Sequence, residues 1–140
     1  MQTKEKHARA LYTLTGKVEA GKRLGREMGF PTANQKLPCG ADIPFGIYAS
    51  EVEIDGKCYE AVSNVGTRPT VSGDVPNCES HVLGYSGDLY GCEIKTSLLC
   101  FLREEREFDS VEELRRQIAR DADGAREFFR QCKKTENKEQ

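Results

Sequence analysis

The chain has 140 residues, a length that predicts a single domain. Its hydrophobic fraction is 37% and its mean hydropathy is −0.64, and it contains no apolar run long enough to cross a bilayer. The formal net charge of −2 argues against a protein that binds nucleic acid through a basic surface. The first residues lack the apolar segment of a secretory signal. We therefore expect a cytoplasmic protein that binds neither nucleic acid nor a membrane.

Signals for β-strands dominate the first hundred residues. Strands are predicted at residues 12–19, 46–54, 57–65, 78–85 and 93–102, and Asp55-Gly56 predicts a tight hairpin turn between the second and third. In the second strand, alternation predicts that Tyr48, Ser50 and every second residue onward share one face. Residues 20–45 and 66–77 are predicted to be long loops, which are usually functional in a compact domain.

The last third of the chain has the pattern of a helix. Ser110 and Glu113 form a capping box, and apolar residues follow at helical spacing, namely Leu114, Ile118, Ala122, Ala125 and Phe129. Gly124 predicts a bend or a weak point, and residues 133–140 are predicted to be a frayed polar tail. The element order predicts a mainly β protein: a small antiparallel barrel closed by a C-terminal helix.

The six cysteines predict neither a disulfide framework nor a metal centre. No two of them have the C-x-x-C spacing, and only Cys78 and His81 are spaced as a ligand pair could be. We interpret the cysteines as small buried apolar residues or surface thiols.

A glycine-rich basic segment precedes the second predicted strand. Between residues 16 and 34, glycines recur every four residues from Gly21, and basic residues such as Arg26 are interleaved with them. Glycine lets backbone N–H groups approach an anion closely, and the basic side chains add charge, so the segment suits phosphate binding. It matches neither the Walker loop nor the dinucleotide fingerprint. A solvated glycine turn with basic residues is the alternative.

The segment Phe30-Pro31-Thr32-Ala33-Asn34 adds oxygen ligands. Pro31 favours extended geometry before it, so Thr32 and Asn34 would project from the same side. A hydroxyl and an amide oxygen placed in this way could share a hard cation such as Mg²⁺. The alternative is that both side chains only satisfy a turn.

These motifs occur together in one known family. The sequence resembles the riboflavin kinase (flavokinase) family, and the resembling stretches follow the family order at residues 16–18, 29–34, 44–48, 64–70, 79–81, 87–91, 102–103 and 108–114. The resemblance implies a six-stranded antiparallel Greek-key barrel with a C-terminal helix. It also implies ATP-dependent phosphorylation of riboflavin at the ribityl 5′-hydroxyl, which gives FMN and ADP. A non-catalytic barrel that binds a flavin or a nucleotide is the alternative.

The resemblance also assigns the nucleotide side of the site. Thr32 and Asn34 match the ligands of the ATP phosphates and of a divalent cation, Mg²⁺ or another. Gly21 and Arg26 match the loop that binds the nucleotide phosphates.

On the acceptor side, Glu79 matches the carboxylate that acts as general base toward the 5′-hydroxyl. Arg103 and Phe108 match the loop on the flavin side. Glu79 and His81 would share one face of a strand, so a simple Glu79–His81 pair is the alternative interpretation of the carboxylate.

The resemblance also implies domain boundaries. Residues 1–12 resemble a linker, residues 13–132 the kinase domain, and residues 133–140 the polar tail. Bifunctional members of the family carry an adenylyltransferase domain ahead of the kinase, for which this length leaves no room. We expect either a monomeric kinase or the kinase half of a larger bifunctional protein.

Overall fold

The computed structural model describes residues 10–19, 31–38 and 40–138. This part of the chain forms six strands and one helix, in the order β1 (Tyr12–Lys17), β2 (Thr32–Lys36), β3 (Gly46–Ile54), β4 (Lys57–Thr70), β5 (Gly73–Val82), β6 (Glu93–Arg103) and α1 (Val111–Lys138).

All six strands belong to one antiparallel sheet with the order β1-β6-β3-β4-β5-β2. β3, β4 and β5 are joined by hairpins, and β2 lies beside β5, which is a Greek-key arrangement. The sheet curls into a half-barrel whose edge strands meet where the Glu19 N–H donates to the Asn34 carbonyl at 2.7 Å. The predicted fold class, mainly β with a C-terminal helix, is confirmed.

The β3–β4 hairpin turns at the predicted dipeptide. Asp55 and Gly56 both have positive φ, 50° and 80°. That combination defines the tight turn whose twist matches the two strands, and glycine accepts it without strain.

The interior of the half-barrel is mostly apolar and holds two sets of hydrogen-bonded polar side chains. In the first, the Thr96 hydroxyl donates to Oε1 of Gln35 at 2.6 Å, and both side chains are buried. The second is a chain of three buried hydroxyl groups. The hydroxyls of Ser50, Ser63 and Ser80, on three adjacent strands, are hydrogen-bonded in series at 2.7 Å. Each buried hydroxyl therefore has a partner, which offsets its loss of water. Beside this chain lies Cys78, fully buried, and burial raises the pKa of its thiol to about 11.

The helix α1 covers part of the outer face of the sheet. Ala125 and Phe129 pack there against Ile47, Ala49 and Val62. The first five residues of β3 are consequently buried on both faces. The predicted alternation holds, because Tyr48 and every second residue after it point into the barrel while Ile47 and Ala49 lie under the helix.

The helix begins as predicted and ends later than predicted. The Ser110 hydroxyl accepts the Glu113 N–H at 3.1 Å, and the Glu113 carboxylate accepts the N–H of Asp109 at 3.3 Å. The helix continues through Gly124 and runs to Lys138, past the start of the predicted frayed tail. Lys133 lies 3.9 Å from Glu60 of β4, and lysine and glutamate favour helix, so the helix extends.

Two predicted loops were wrong in part. Residues 32–36 form β2, and residues 66–77 belong mostly to the long hairpin of β4 and β5, which turns at residues 71 and 72. Cross-strand pairing overrides the weak β-propensity of their Asn, Gly and Pro residues: β2 pairs with the distant β5, and residues 66–70 pair with residues 73–77 across the hairpin turn. The rest of the glycine-rich segment, residues 20–30, lies outside the described residues.

Candidate active site

The predicted catalytic carboxylate and the predicted metal ligands lie on one face of two adjacent strands, β5 and β2. Asn34 of β2 is directly opposite Glu79 of β5, and Thr32 is opposite His81. On the other side of β5, Asn64 of β4 is also opposite Glu79. Directly opposite residues share a face, with Cβ atoms about 4.5–5.5 Å apart. The register therefore surrounds Glu79 with polar side chains from both neighbouring strands.

A cavity of about 100 Å³ lies between this face, the start of α1 and residues 104–108. Its polar end is formed by the sheet, including Asn64, Glu79 and His81. Its other walls combine charged side chains, those of Arg103, Glu105, Arg106 and Asp121, with apolar side chains from the sheet, the loop and the helix: Ile47, Val62, Leu83, Phe108, Leu114, Ile118 and Ala122. A lining of this mixed character suits the chemistry of a ligand with an apolar body and a polar chain.

The carboxylate of Glu79 is available for chemistry. Its side chain is 27% exposed, and Oε1 lies 3.9 Å from Nε2 of His81, which is too long for a hydrogen bond. Among the described residues, no side chain or backbone group donates a hydrogen bond to it. Pairing with His81 therefore does not by itself account for the presence of a carboxylate at Glu79.

Four buried polar side-chain atoms in the described part of the chain have no hydrogen-bond partner: Thr32 Oγ1, Asn64 Oδ1, Asn77 Oδ1 and His81 Nδ1. All four residues lie on the face that carries Glu79, since Asn77 is two residues before it on β5. Each unsatisfied buried group costs about 1–3 kcal/mol, so native proteins have few. Their concentration around one carboxylate indicates a surface that contacts a ligand.

Asn77 also contacts a predicted ligand residue. Its Nδ2 donates to Oδ1 of Asn34 at 3.0 Å, in a buried position. This bond orients the Asn34 amide, whose oxygen keeps a second lone pair.

The helix fixes the other wall of the cleft through an ion pair. Arg103, at the end of β6, donates from Nε and Nη2 to the two carboxylate oxygens of Asp121, both at 2.8 Å. Gln117 donates to the same carboxylate at 2.9 Å and accepts from Arg106 at 3.2 Å. The Arg106 guanidinium lies 5.1 Å from the centre of the Phe108 ring. This network ties residues 103–108 to α1.

The loop also reaches across the cleft to β4. A Cβ at Gly66 would lie 2.6 Å from Oε2 of Glu105. Only a residue without a side chain leaves the Glu105 carboxylate its present position, so Gly66 permits the close approach of the loop to the sheet.

The structure brings together most of the predicted site residues. Glu79, Arg103 and Phe108 line the cleft, and Thr32 and Asn34 lie beside it on β2. The other two predicted residues, Gly21 and Arg26, lie outside the described residues. The described part of the chain contains no group of three or more His, Cys, Asp or Glu side chains suited to a metal ion.

Sequence reasoning gave no role to four residues of the site: Asn64, Asn77, Gln117 and Asp121. The sequence contains a signal for Gln117 and Asp121. Gln117 and Asp121 are four residues apart next to the apolar positions of the helix, which places two polar side chains on its buried face. Asn64 begins one of the stretches that resemble the family, residues 64–70, but the resemblance assigns no role to it, and Asn77 lies at the end of a predicted loop.

The fold and the site define a small antiparallel barrel that carries a carboxylate between an oxygen-rich strand and a partly apolar cleft. The riboflavin kinase family model matches residues 8–129. The chain therefore belongs to the riboflavin kinase family. Among its described residues, no helix combines the length and the apolar character that a membrane span requires.

Individual relatives of the chain lead to the same family assignment. The chain is 44% identical over 119 residues to the bifunctional riboflavin kinase/FMN adenylyltransferase of Escherichia coli (strain K12), covering 84% of this chain and 38% of the relative. For the Bacillus subtilis (strain 168) protein of the same name the identity is 34% over 127 residues, covering 88% and 40%. The chain thus spans about two-fifths of the length of these curated relatives.

A solved structure supports the fold. The crystal structure of riboflavin kinase from Trypanosoma brucei matches with a TM-score of 0.59 and 22% identity, covering 84% of this chain and 79% of that one.

Proposed function

We propose that this chain transfers the γ-phosphoryl group of ATP to the ribityl 5′-hydroxyl of riboflavin, giving FMN and ADP. Family membership supports the reaction. The observation that carries it is the pairing of Asn34 with Glu79 across β2 and β5. This pairing sets the candidate phosphate ligands one strand away from a carboxylate that faces the cleft.

Phosphoryl transfer asks the protein mainly for positioning and for neutralisation of charge. In the proposed reaction the 5′-hydroxyl oxygen attacks the γ-phosphorus, the bond between that phosphorus and the bridging oxygen of ADP breaks, and the hydroxyl proton moves to Glu79. A positioned base is typically worth about 10²–10⁴-fold in rate. Glu79 suits this role because, among the described residues, nothing donates a hydrogen bond to its carboxylate.

Thr32 and Asn34 are the proposed ligands of a divalent cation, Mg²⁺ or another, that enters with ATP. Their fit to such an ion rests on two observations: Thr32 Oγ1 is buried without a partner, and the Asn34 oxygen accepts one hydrogen bond and retains a lone pair. Mg²⁺ prefers oxygen ligands of this kind. When bound, the ion would neutralise charge on the phosphates. Gly21 and Arg26 are proposed to complete the nucleotide site.

Arg103 and Phe108 are proposed to bind the flavin. The apolar walls of the cleft suit an aromatic ring system, and Phe108 supplies an aromatic face among them. Arg103 is held by Asp121 at two points, so its guanidinium has a fixed orientation in the cleft wall.

The proposed partners are small molecules: riboflavin and FMN, ATP and ADP. The net charge of −2 supports this over a nucleic-acid ligand. We propose a cytoplasmic protein that acts as a monomer or as the kinase half of a larger bifunctional protein, like the relatives named above.

The test is direct. Purified protein is incubated with riboflavin, ATP and Mg²⁺, and the flavins are separated by chromatography. We expect FMN and ADP in equal amounts, and no FMN when the metal is chelated. Binding of riboflavin with no FMN above a protein-free blank would refute the kinase and favour a non-catalytic flavin-binding barrel.

A further inference from the structure

The half-barrel closes along one seam, the line where its two edge strands, β1 and β2, meet. Among the described residues, one backbone hydrogen bond crosses this seam, from the Glu19 N–H to the Asn34 carbonyl at 2.7 Å. β2 has only five residues, and along its length it pairs with β5 alone. A short edge strand opens more easily than a central strand. β2 therefore depends on further contacts to keep its place against β1.

The side chain of Gln35 supplies such contacts from inside the barrel, where it is 1% exposed. Its Nε2 donates across the seam to the carbonyls of Gly16 in β1 at 3.2 Å and of Ile94 in β6 at 3.3 Å. Its Oε1 accepts from the Thr96 hydroxyl of β6 at 2.6 Å. The orientation of the amide follows from chemistry, because carbonyl oxygens only accept and the NH₂ group must face them. One amide thus ties β2 to both strands on the far side of the seam.

The contacts across the seam on the outer face are weaker. The Glu19 carboxylate lies 4.0 Å from Nζ of Lys36 and 3.7 Å from Nη1 of Arg68. All three side chains are partly exposed, and exposed ion pairs contribute little. The hydrogen bonds of Gln35 count for more, because a buried polar group that loses its partner cannot turn to water. Gln35 is therefore the main side-chain closure of the barrel.

This closure lies directly beside the proposed metal ligands. Along β2 the side chains alternate, so Gln35 points into the barrel while Thr32 and Asn34 lie on the face that carries Glu79. The seam is joined at the carbonyl of Asn34 and at the side chain of the next residue. A site that binds a metal works only when its ligands are held in place by supporting contacts, and a shift of about 1 Å can be costly.

We propose that Gln35 is a positioning residue: by fastening β2 to β1 and β6, it holds Thr32 and Asn34 in place for the divalent cation. The inference rests on the proposed function, because it assumes that these two residues are the ligands. Gln35 itself contacts neither the metal nor a substrate, since its side chain lies on the opposite face of the strand.

The test uses Gln35→Met, which keeps a similar side-chain volume and removes all three hydrogen bonds. The matched control is Ser50→Ala, which removes a buried hydrogen bond from the same barrel interior, on β3 and away from the seam. Hydrogen exchange of the Glu19 backbone amide, followed by NMR, reports opening of the seam. Gln35→Met should speed this exchange by about 10- to 100-fold, because each of the two bonds that Nε2 donates corresponds to about 3- to 10-fold. Ser50→Ala should leave the Glu19 rate at the wild-type value although it lowers the overall stability.

A second measurement addresses the ligands. The affinity for ADP is measured by titration calorimetry at several Mg²⁺ concentrations. For Gln35→Met, the Mg²⁺ concentration that gives half-maximal ADP binding should rise by about 3- to 10-fold, the size of one hydrogen bond. It should equal the wild-type value for Ser50→Ala, and KM for riboflavin should be the same in all three proteins. A purely structural role for Gln35 would leave the Mg²⁺ dependence unchanged.

An unchanged Glu19 exchange rate in Gln35→Met, an equal rise in Ser50→Ala, or a wild-type Mg²⁺ dependence in Gln35→Met would overturn the proposal. The proposed function fails in a different way, namely if the wild-type protein binds no ADP with Mg²⁺ and makes no FMN. Thermal unfolding identifies a variant that does not fold. If Gln35→Met is such a variant, Thr96→Val, which removes the 2.6 Å bond and keeps the shape of the side chain, decides the question with the same two measurements.

Discussion

Replacing Asp121 by Asn removes the charge that holds Arg103 against the helix while it keeps the size of the side chain. In the native protein the Asp121 carboxylate accepts two bonds from Arg103 and one from Gln117, at 2.8, 2.8 and 2.9 Å. Asparagine keeps one acceptor oxygen and turns an NH₂ group toward the guanidinium, so at least one donor of Arg103 loses its partner.

The burial of Asp121 and Arg103 determines how much stability the substitution costs. The side chains of Asp121 and Arg103 are 8% and 22% exposed. Breaking a buried ion pair by removing one partner costs about 3–5 kcal/mol, and water reaches part of Arg103, which lowers this cost. We expect Asp121→Asn to reduce the free energy of unfolding by about 2–4 kcal/mol.

Urea unfolding of Asp121→Leu, of Arg103→Met and of the double variant Asp121→Leu/Arg103→Met measures the coupling between the two side chains. The double variant should lose much less stability than the sum of the single variants, because an apolar pair can replace an ion pair at small cost. As a matched control, Asp123→Asn changes a carboxylate that is 81% exposed and lies 3.7 Å from Arg126. That variant should stay within about 0.5 kcal/mol of the wild type.

The reasoning is refuted if Asp121→Asn is as mild as Asp123→Asn, or if the cycle shows no coupling. Kinetic measurements on Asp121→Asn test the same contact. Because Asp121 orients Arg103, Asp121→Asn should raise KM for riboflavin at a temperature where the variant remains folded, and leave KM for ATP unchanged.

Three further predictions test single side chains. Glu79→Gln should bind both substrates and lower kcat by about 10²–10⁴-fold; a kcat near that of the wild type would remove Glu79 as the base. Thr32→Val should raise KM for MgATP and shift the Mg²⁺ titration. It should also not reduce the melting temperature, because the Thr32 hydroxyl is buried without a partner; an unchanged metal dependence would reject Thr32 as a ligand. Burial raises the pKa of Cys78 from 9.0 to about 11, so between these pH values the unfolded state has released this proton and the native state has not. Stability should therefore fall as pH rises from 9 to 11, by about 3 kcal/mol in the limit, and urea unfolding of Cys78→Ala should lack this part of the slope; an identical slope in both proteins would contradict the assignment.

Local sequence signals predicted the local features well. The Asp55-Gly56 turn depends on the conformational freedom of two residues, and the capping box at Ser110 and Glu113 on a spacing of three. The alternation in β3 predicted which residues share a face, and the structure shows that this face is the barrel interior. Each of these features is decided within a few neighbouring positions, which a single sequence displays directly.

Features that depend on pairing between distant parts of the chain could not be predicted from the sequence alone. β2 exists because it hydrogen-bonds to β5, and the two strands are separated by more than one hairpin in the chain. The same pairing sets Asn34 against Glu79, and only the folded chain brings Arg103 to Asp121. The resemblance to a family named candidate residues, whereas the register between strands shows which of them are neighbours.

The register between β2 and β5 is continuous from Thr32 to Lys36. Inserting one residue into β5 ahead of Glu79 would turn every later side chain of that strand to the opposite face, so Glu79 would point into the barrel, where Ser80 now lies. An insertion in β2 ahead of Asn34 would turn Asn34 away from Glu79 in the same way. Length changes at the tip of the β4–β5 hairpin carry no such cost, since the exposed turn at residues 71 and 72 lies beyond the last paired residues. The tip is therefore a suitable place to insert a peptide tag or a reporter, because the distance between the two substrate sites is set elsewhere.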